Sequence, residues 1–189
     1  RQRFYREYRF AEVFASLKRA PQSVKQRIEK LPGVEHVSDR VMARVNIEVA
    51  GFTDPISGQM ISIPDQDEPQ INSLFLSSGK YPAPYNSHEV LISDAFAAAH
   101  ELKVGSQLAV VINGKRQQID VCGIAISPEY VYQVAPGSII PDYKRFGIFW
   151  IRRNALAIAY DMEGAFNDLV MTLEEGASEQ SLIEQLDLV

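Results

Sequence analysis

The hydrophobic and polar positions in the first third of the 189-residue chain follow two different periods. A loose alternation from Phe10 to Leu17 predicts a strand. Apolar residues at helical spacing after Pro21 predict a helix, which Pro32 and Gly33 end. The segment from 34 to 51 predicts one long strand, and these residues at every second position lie on its buried face: Val41, Ala43, Val45, Ile47 and Val49. The chain therefore opens with a strand–helix–strand unit.

Between residues 51 and 87 this periodicity is lost and proline becomes frequent. The segment "DPISGQ" (54–59) is typical of a turn, and the segments "IPDQDEP" and "YPAPYNS" are typical of loops. We therefore place a boundary between two subdomains near Pro64.

The central part of the chain combines a strand, a helix and a hairpin. The segment "EVLI" predicts a short buried strand, and Ser93 is placed to cap the helix "DAFAAAHEL" that follows. Its inward side is predicted to carry three residues: Phe96, Ala99 and Leu102. Asn113 and Gly114 then join the strands "QLAVVI" and "KRQQIDVCGIA" in a hairpin, because both residues tolerate the positive φ of a type I′ turn.

The last third of the chain begins with a segment, 127–150, whose prolines, glycines and aromatic residues fit no single element. After it, "RRNALAIAY" predicts a helix, "FNDLVMTL" a strand and "SEQSLIEQL" a helix with Leu182, Ile183 and Leu186 facing inward. This closing strand–helix pair mirrors the opening one. The fold class predicted is α+β, with a discontinuous subdomain (residues 1–64 and 160–189) and an inserted β-rich subdomain (residues 65–159).

Charge and cysteine content narrow the class of protein. A net charge of −5 argues against a nucleic-acid partner, which requires a strongly basic face. The single cysteine, Cys122, lies in an apolar strand pattern and is interpreted as a small buried hydrophobe. No segment approaches the roughly 20 apolar residues that span a bilayer. Because the chain lacks an initiator Met and stops inside a helical pattern, we interpret it as a piece of a longer polypeptide.

Motifs for catalysis or metal binding are not found in the sequence. The histidines His36, His88 and His100 do not have zinc-site spacing, and the acidic loop at 65–68 lacks the glycine of a calcium loop. Ser93 has no nucleophile-elbow motif around it. The sequence therefore predicts a protein that is not an enzyme and has no metal and no cofactor.

The segment 130–153 is rich in aromatic and basic residues, and folding explains its composition less well than that of any other part of the chain. It contains five candidate contact residues for a partner or substrate: Tyr130, Tyr132, Tyr143, Phe146 and Trp150. Tyr, Trp and Arg dominate binding hot spots, and Arg145, Arg152 and Arg153 lie among these rings. The alternative is that some of the rings cover the open end of a small β-core, and both alternatives can hold for different rings.

Four segments in the same order resemble a known family: "RIEKLPGVEHVSDRV", "LFLSSGKYP", "EVLISDAFAAAHELKVGSQL" and "IDVCGIAISPEYVY". Together they resemble the extracytoplasmic core domain of MacB/FtsX-like ABC transporter permeases, and the segment 136–173 resembles one uncharacterised branch. The resemblance implies a porter-like βαβ subdomain with an inserted β-rich subdomain, which agrees with the division reached from the pattern alone.

The resemblance also implies a location, partners and a role. It implies the periplasmic part of a bacterial inner-membrane permease that forms a homodimer, works with a cytoplasmic ABC ATPase and engages a membrane-fusion or lipoprotein partner. The expected function is to couple ATP-driven conformational change to the handling of a substrate or partner protein in export. Two rivals remain from other classes: an extracytoplasmic ligand-binding sensor domain of a membrane receptor, and a hydrolase whose site is dispersed in the sequence.

Overall fold

A computed structural model describes residues 9–131, 133, 135, 137 and 139–187. Within these residues the chain forms a mixed α+β fold, which confirms the predicted class. The strands are β1 (Val13–Pro21), β2 (Val34–Arg40), β3 (Met42–Glu48), β4 (Ile56–Ile63), β5 (Phe75–Gly79), β6 (Glu89–Ser93), β7 (Gln107–Ile112), β8 (Lys115–Ile126), β9 (Phe146–Arg152) and β10 (Ala165–Leu173). The helices are α1 (Gln22–Ile28), α2 (Asp94–Ala99), α3 (Arg153–Ala159) and α4 (Glu179–Leu186).

The two ends of the chain build one small sheet, in which β10 lies between β1 and β2 and is antiparallel to both. Helices α1 and α4 contribute Ile28 and Leu182 to the core on one face of this sheet. The other buried members are Val13, Ala20, Val34, Phe166, Leu169 and Met171. Ile183, which was predicted to face inward, is exposed on α4, so that prediction is wrong.

The remaining strands form a closed barrel. Each of β8, β6, β9, β4, β3 and β7 pairs with the next, and β7 pairs back onto β8. Closure is possible because β8 is long: it pairs with β7 up to Asp120 and with β6 from Asp120 onward. Strand β5 also pairs with β8, at its C-terminal end, and is not part of the closed ring. The predicted hairpin is confirmed, since Ile112 pairs with Lys115 and Asn113 and Gly114 have φ of 45° and 76°.

The barrel interior is filled by alternate side chains of its strands together with Phe96 from α2. The rings of Phe96 and Phe149 meet edge to face with centroids 5.1 Å apart. Two glycines make this packing possible. A Cβ on Gly147 would lie 2.6 Å from Cδ2 of Phe96, and one on Gly58 would lie 3.1 Å from Cε2 of Phe149.

The segment from 34 to 51 differs from its prediction in one respect. The predicted buried face is confirmed, yet the single long strand is wrong, because β2 belongs to the small sheet and β3 to the barrel. The change of sheet occurs at Val41, whose backbone bonds Oγ of Ser62 through its N–H (2.8 Å) and the Ser62 N–H through its carbonyl (2.9 Å). The subdomain boundary near Pro64 stays a prediction, whereas the sheet boundary lies at Val41.

Three strands lie where the sequence pattern predicted none: β4, β5 and β9. The predicted turn at 54–59 is wrong in its second half, because Ile56 begins β4. The unassigned segment 127–150 contains most of β9, which is parallel to β4 and antiparallel to β6 and is buried along its whole length. A strand buried on both faces has no alternation for a sequence pattern to detect.

Arg152 at the end of β9 holds the two proline-rich loops together. Its guanidinium is buried and donates to the carbonyl oxygens of Pro64 (2.5 Å), Asp67 (2.7 Å) and Pro82 (2.5 Å). Because these loops have few regular backbone hydrogen bonds of their own, one side chain from the central strand fixes their path.

We predict that Gly147→Ala destabilises the barrel by about 1–3 kcal/mol, because the added methyl group overlaps the Phe96 ring. Urea unfolding monitored by circular dichroism measures the change. The matched control is the double variant with Phe96→Leu, which removes the ring atoms in the way. The double variant is expected to be more stable than the sum of the two single changes predicts, and simple additivity would contradict this packing account.

Candidate functional site at the junction of the two sheets

The chain passes between the small sheet and the barrel twice, at Val41 and between α3 and β10. Arg153, the first residue of α3, contacts both crossings. Its Nη1 donates to the carbonyl oxygen of Asp39 (3.0 Å) and lies 2.6 Å from Oδ2 of the same residue, and its Nη2 donates to the carbonyl oxygen of Ala165 (2.7 Å). One barrel side chain therefore holds the end of β2 and the start of β10.

Arg40, the last residue of β2, makes the second polar link. Its Nε donates to Oδ2 of Asp168 on β10 (2.7 Å), and its Nη1 and Nη2 donate to the two carboxylate oxygens of Glu129 (2.7 and 2.9 Å). Glu129 lies in the loop after β8 and also accepts from Nδ2 of Asn72 (2.9 Å). We use the term junction for the two crossings and five charged side chains: Asp39, Arg40, Glu129, Arg153 and Asp168.

The charges of the junction are not balanced around Arg40, where one buried cation faces two carboxylates. Burial by itself lowers the pKa of Arg40, but the hydrogen bond and charge of Glu129 and the charge of Asp168 outweigh it and raise this pKa. Burial raises the pKa of Asp168; Arg40 offsets this only in part, and Glu129 raises the pKa further. Asp168 and Glu129 therefore share one cation, and loss of the Arg40 side chain would leave both carboxylates buried without a compensating charge.

Asp39 is in the opposite situation, with several donors around one carboxylate. Its carboxylate accepts a hydrogen bond from Nε2 of Gln22 (2.7 Å) and lies 3.0 Å from Nζ of Lys25, and both of these residues are on α1. Burial tends to raise the pKa of Asp39, but Gln22, Arg153 and Lys25 together hold it below its ordinary value. Asp39 therefore stays ionised and joins α1, β2 and the barrel.

A cleft of about 690 Å³ opens beside the junction, between α1, β2 and the loop that follows β4. Its walls include Lys25, Glu35, Val37, Ile63 and Ile71. A second hollow of about 460 Å³ continues past Glu35 and Ile71 toward Arg9. We use the term cleft for the larger of these two spaces.

Four of the five candidate contact residues are described, and two of them are buried while two are half-buried. Phe146 and Trp150 are 4% and 3% exposed. Both rings belong to a second core of the barrel, which also contains Ile61, Ile63, Leu74, Leu91, Cys122, Ala125 and Ile148. Tyr130 is half-buried beside that core, where burial and then the charge of Glu129 raise its pKa. Tyr143 is half-buried. Tyr132 lies outside the described residues. Partner contact through this segment stays a prediction.

The most exposed apolar side chains of this segment are not among the five candidates; they are Val131, Ile139 and Ile140. Ile139 has 94% of its surface exposed. The junction residues Arg40, Glu129 and Asp168 were not predicted from the sequence either. A signal for Asp168 was present, since it is the one charged residue in the largely apolar strand "FNDLVMTL".

Ser93 and Cys122, whose side chains could act as nucleophiles, make structural contacts instead. Ser93 lies at the N-cap of α2 as predicted, but its side chain caps nothing and donates instead to Oε1 of Gln133 (2.7 Å), so the predicted hydrogen bond is wrong. Cys122 is buried with Sγ 3.2 Å from the carbonyl oxygen of Val90, and burial raises its thiol pKa to about 12. Within the described ranges no three His, Cys, Asp or Glu side chains converge as metal ligands.

No model of a known protein family and no curated protein matches the sequence. Several solved structures match the fold, and two of them are domains outside the cytoplasm. The extracellular domain of the noncanonic ABC-type transporter YknZ from Gram-positive bacteria gives a TM-score of 0.54 at 11% identity, over 89% of this chain and 86% of that one. The periplasmic region of MacB from Actinobacillus actinomycetemcomitans gives 0.52 at 10% identity, over 88% of this chain and 70% of that one.

The chain has the fold of these extracytoplasmic transporter domains. The resemblance drawn from four sequence segments is therefore confirmed at the level of the fold. The first of these structures is an extracellular domain of an ABC-type transporter and the second is a periplasmic region, so both lie outside the cytoplasm. Among the helices that the structure describes, none is long and apolar enough to cross a membrane.

We predict that Arg40→Met lowers the free energy of unfolding at pH 7 by about 3–5 kcal/mol, because it leaves Asp168 and Glu129 buried without their cation. Asp168→Asn is the matched control and is expected to cost less than about 2 kcal/mol, since it keeps the hydrogen bonds and removes one of two competing charges. Urea unfolding of both variants measures the difference. Equal losses would contradict the unbalanced-charge account.

The loss in Arg40→Met is also expected to depend on pH. Burial and the neighbouring Glu129 raise the pKa of Asp168 and Arg40 lowers it, so removal of the cation leaves the Asp168 pKa in the folded state further above that in the unfolded chain. Such a group contributes stability that is present at low pH and lost as the pH rises through its folded-state value. The deficit relative to the unmodified chain should therefore shrink as the pH is lowered from 7 toward the carboxylate range, and a deficit that grows would contradict this sign.

Cys122 is predicted to be unreactive in the folded chain. At pH 8 a thiol with a pKa of about 12 has a thiolate fraction roughly a thousandfold below that of an exposed cysteine. Labelling with a thiol reagent should be slow in buffer and fast in denaturing urea. Rapid labelling of the folded chain would show that Cys122 is accessible to reagents and would contradict its assignment as an unreactive core residue.

Proposed function

We propose that this chain is the extracytoplasmic domain of an ABC transporter permease in a bacterial inner membrane, and that it couples ATP-driven conformational change to the handling of a substrate or partner protein. The observation that carries the proposal is the extent of the fold match, which spans 89% of this chain and 86% of the YknZ domain. A match over both chains includes both sheets and the crossings between them, rather than one common motif.

The junction supports a mechanical role. Movement of one sheet is transmitted to the other only if the links between them resist shear. Here Arg40 and Arg153 bond side chains and carbonyls on both sides, and Asn167 exchanges two hydrogen bonds with the backbone of Met42 (2.7 and 2.9 Å). Charge-assisted bonds in a buried setting are stiff and directional. The small sheet and the barrel are therefore expected to move as one rigid body.

The segment after β8 supports contact with another protein. Val131, Ile139 and Ile140 expose apolar surface on a loop that the second core of the barrel holds at its base. Exposed apolar side chains on a loop anchored in this way are typical of binding surfaces. We propose that this loop contacts a membrane-fusion or lipoprotein partner, while the rest of the permease contacts the cytoplasmic ATPase and a second permease copy.

Purification of the full-length protein tests the proposal. The gene that contains this chain is tagged and expressed in its own host, and the product is extracted from membranes with detergent. We expect the product in the membrane fraction together with an ABC ATPase, identified by mass spectrometry. A product recovered without membranes, or one that retains no ATPase, would falsify the assignment.

The loop is tested in the same preparation with Ile139→Ser combined with Ile140→Ser. This variant should lose the extracytoplasmic partner and keep the ATPase, because the two contacts lie on different sides of the membrane. Ile158→Ser is the matched control, since Ile158 is also exposed but lies on α3, away from the loop. If both variants retain the partner equally, the loop is not the contact.

A further inference from the structure

We propose that Asn113 is a site of spontaneous covalent modification, at which the side-chain amide is lost as ammonia and replaced by a carboxylate, and that contact with the end of α3 restrains this reaction in the folded chain. Neither the permease role nor the fold match assigns any chemistry to this residue. Three features support the assignment: the residue that follows Asn113, the open surroundings of the turn, and the bonds that hold the Asn113 side chain.

The local sequence makes Asn113 the most reactive asparagine of the chain. Asparagine is among the thermolabile residues, because the backbone nitrogen of the next residue can attack its side chain. A Cβ on that next residue hinders the attack, and glycine has none. Asn113 is the only asparagine that a glycine follows, since each of the others precedes a residue with a side chain: Asn46, Asn72, Asn86, Asn154 and Asn167.

The turn that contains Asn113 is open to solvent. Asn113 and Gly114 are both exposed at the tip of the hairpin, where strand pairing ends at Ile112 and Lys115. Among the described residues, nothing lies within 4 Å of the position that a Cβ on Gly114 would occupy. Water can therefore reach the backbone of Gly114 and the side chain of Asn113.

The Asn113 side chain is nevertheless held by α3. Its Nδ2 donates to the carbonyl oxygen of Ala159 (2.8 Å), and the backbone N–H of Asn113 donates to the hydroxyl of Tyr160 (3.1 Å). The last carbonyl groups of a helix have no partner within the helix. Asn113 thus supplies a donor from the hairpin to the end of α3, and the hairpin tip is bonded to that helix.

The reaction forms one bond at the Asn113 side chain and breaks another. The backbone nitrogen of Gly114 gives up its proton and bonds to Cγ of Asn113. The Cγ–Nδ2 bond breaks, and Nδ2 takes up that proton and leaves as ammonia. Water then opens the five-membered imide at either carbonyl carbon, which gives aspartate or the isomer whose backbone runs through the side chain. No electrons are transferred, and water is the only co-reactant.

Contact with α3 opposes this reaction at two points. Nδ2 must break its hydrogen bond to Ala159 before it leaves, and the Tyr160 hydroxyl holds the backbone of Asn113 at the φ of 45° that the turn requires. Ring closure brings Cγ of Asn113 onto the nitrogen of Gly114, which requires rotation of the side chain and of the backbone between these residues. The unfolded chain has neither restraint. The reaction is therefore expected to be slow in the folded chain and fast wherever the hairpin tip separates from α3.

The modified residue cannot restore the contact. A carboxylate has no N–H to donate, and it brings negative charge to the end of α3, where the helix already carries negative partial charge. The isomeric product also lengthens the backbone of a two-residue turn that sets the register of the hairpin. Because α3 is followed by β10, where the chain passes from the barrel to the small sheet, modification loosens the barrel beside that crossing.

Peptide mapping by mass spectrometry tests the proposal on the 189-residue chain, kept at pH 8 in buffer and in denaturing guanidinium chloride. Asn113 is expected to lose its amide about tenfold faster in denaturant, because unfolding removes both hydrogen bonds. Asn86, which a serine follows, is the internal reference and should react more slowly than Asn113 in denaturant. Equal rates at Asn113 in the two solutions would overturn the restraint. A rate in denaturant no higher than that of Asn86 would overturn the site itself.

The contribution of α3 is tested with Tyr160→Phe, which removes the hydroxyl and keeps the ring. The rate at Asn113 in buffer is expected to rise about threefold. Tyr85→Phe is the matched control and should leave the rate unchanged, since the hydroxyl of Tyr85 contacts Gln66 instead. Equal rates in the two variants would contradict a role for α3. If Tyr160→Phe does not fold, judged by its thermal melt, the comparison of buffer and denaturant decides, because it needs no variant.

Asn113→Asp reproduces the product that keeps the backbone length. Its melting temperature is expected to lie about 2–4 °C below that of the unmodified chain. Asn113→Gly, which accepts the positive φ and loses the same hydrogen bond without adding charge, should show a smaller decrease. An Asn113→Asp chain as stable as the unmodified one would show that the bond to Ala159 restrains nothing. None of these results bears on membrane location or on the ATPase, so the permease assignment keeps its own test.

Discussion

The buried guanidinium of Arg40 is the interaction on which the arrangement of the two sheets depends. Among the described residues it is the only cation within hydrogen-bonding distance of both Asp168, on β10 of the small sheet, and Glu129, in the loop that follows β8 of the barrel. Burying two negative charges next to each other is unfavourable unless a cation lies between them. Arg40 therefore bonds the small sheet to the barrel through directional contacts, which fix the orientation of the two parts better than a flat apolar contact does.

Local signals in the sequence were sufficient for much of the fold. Asn113 and Gly114 define a hairpin whose register the structure confirms, because the φ angles they adopt are accessible to few other residues. The split between β2 and β3 was missed, although the spacing carries a trace of it: valines stand at positions 34, 37 and 41, and the alternation of buried residues begins only at Val41. A change in spacing indicates a change of surroundings, but only the pairing partners show that the two segments belong to different sheets.

The candidate site was predicted less well than the fold, for a physical reason. Aromatic side chains are used both for cores and for binding surfaces, and composition does not distinguish the two. Phe146 and Trp150 proved to be core residues because β9 is central, a fact set by long-range pairing with β4 and β6. The polar network at the junction has the same origin, since Arg40 and Glu129 are 89 positions apart in the chain. Contacts of this range leave no local pattern.

The junction and the cleft share Asp39, and this has a mechanical consequence. Its carbonyl and carboxylate bond Arg153, and its carboxylate bonds Gln22 and Lys25 on the wall of the cleft. A change in the position of α1 or of β2 would therefore alter the bonds that Asp39 makes to Arg153, at the point where the small sheet meets the barrel. Occupation of the cleft by a ligand that contacts α1 and the orientation of the two sheets are thus expected to be thermodynamically linked.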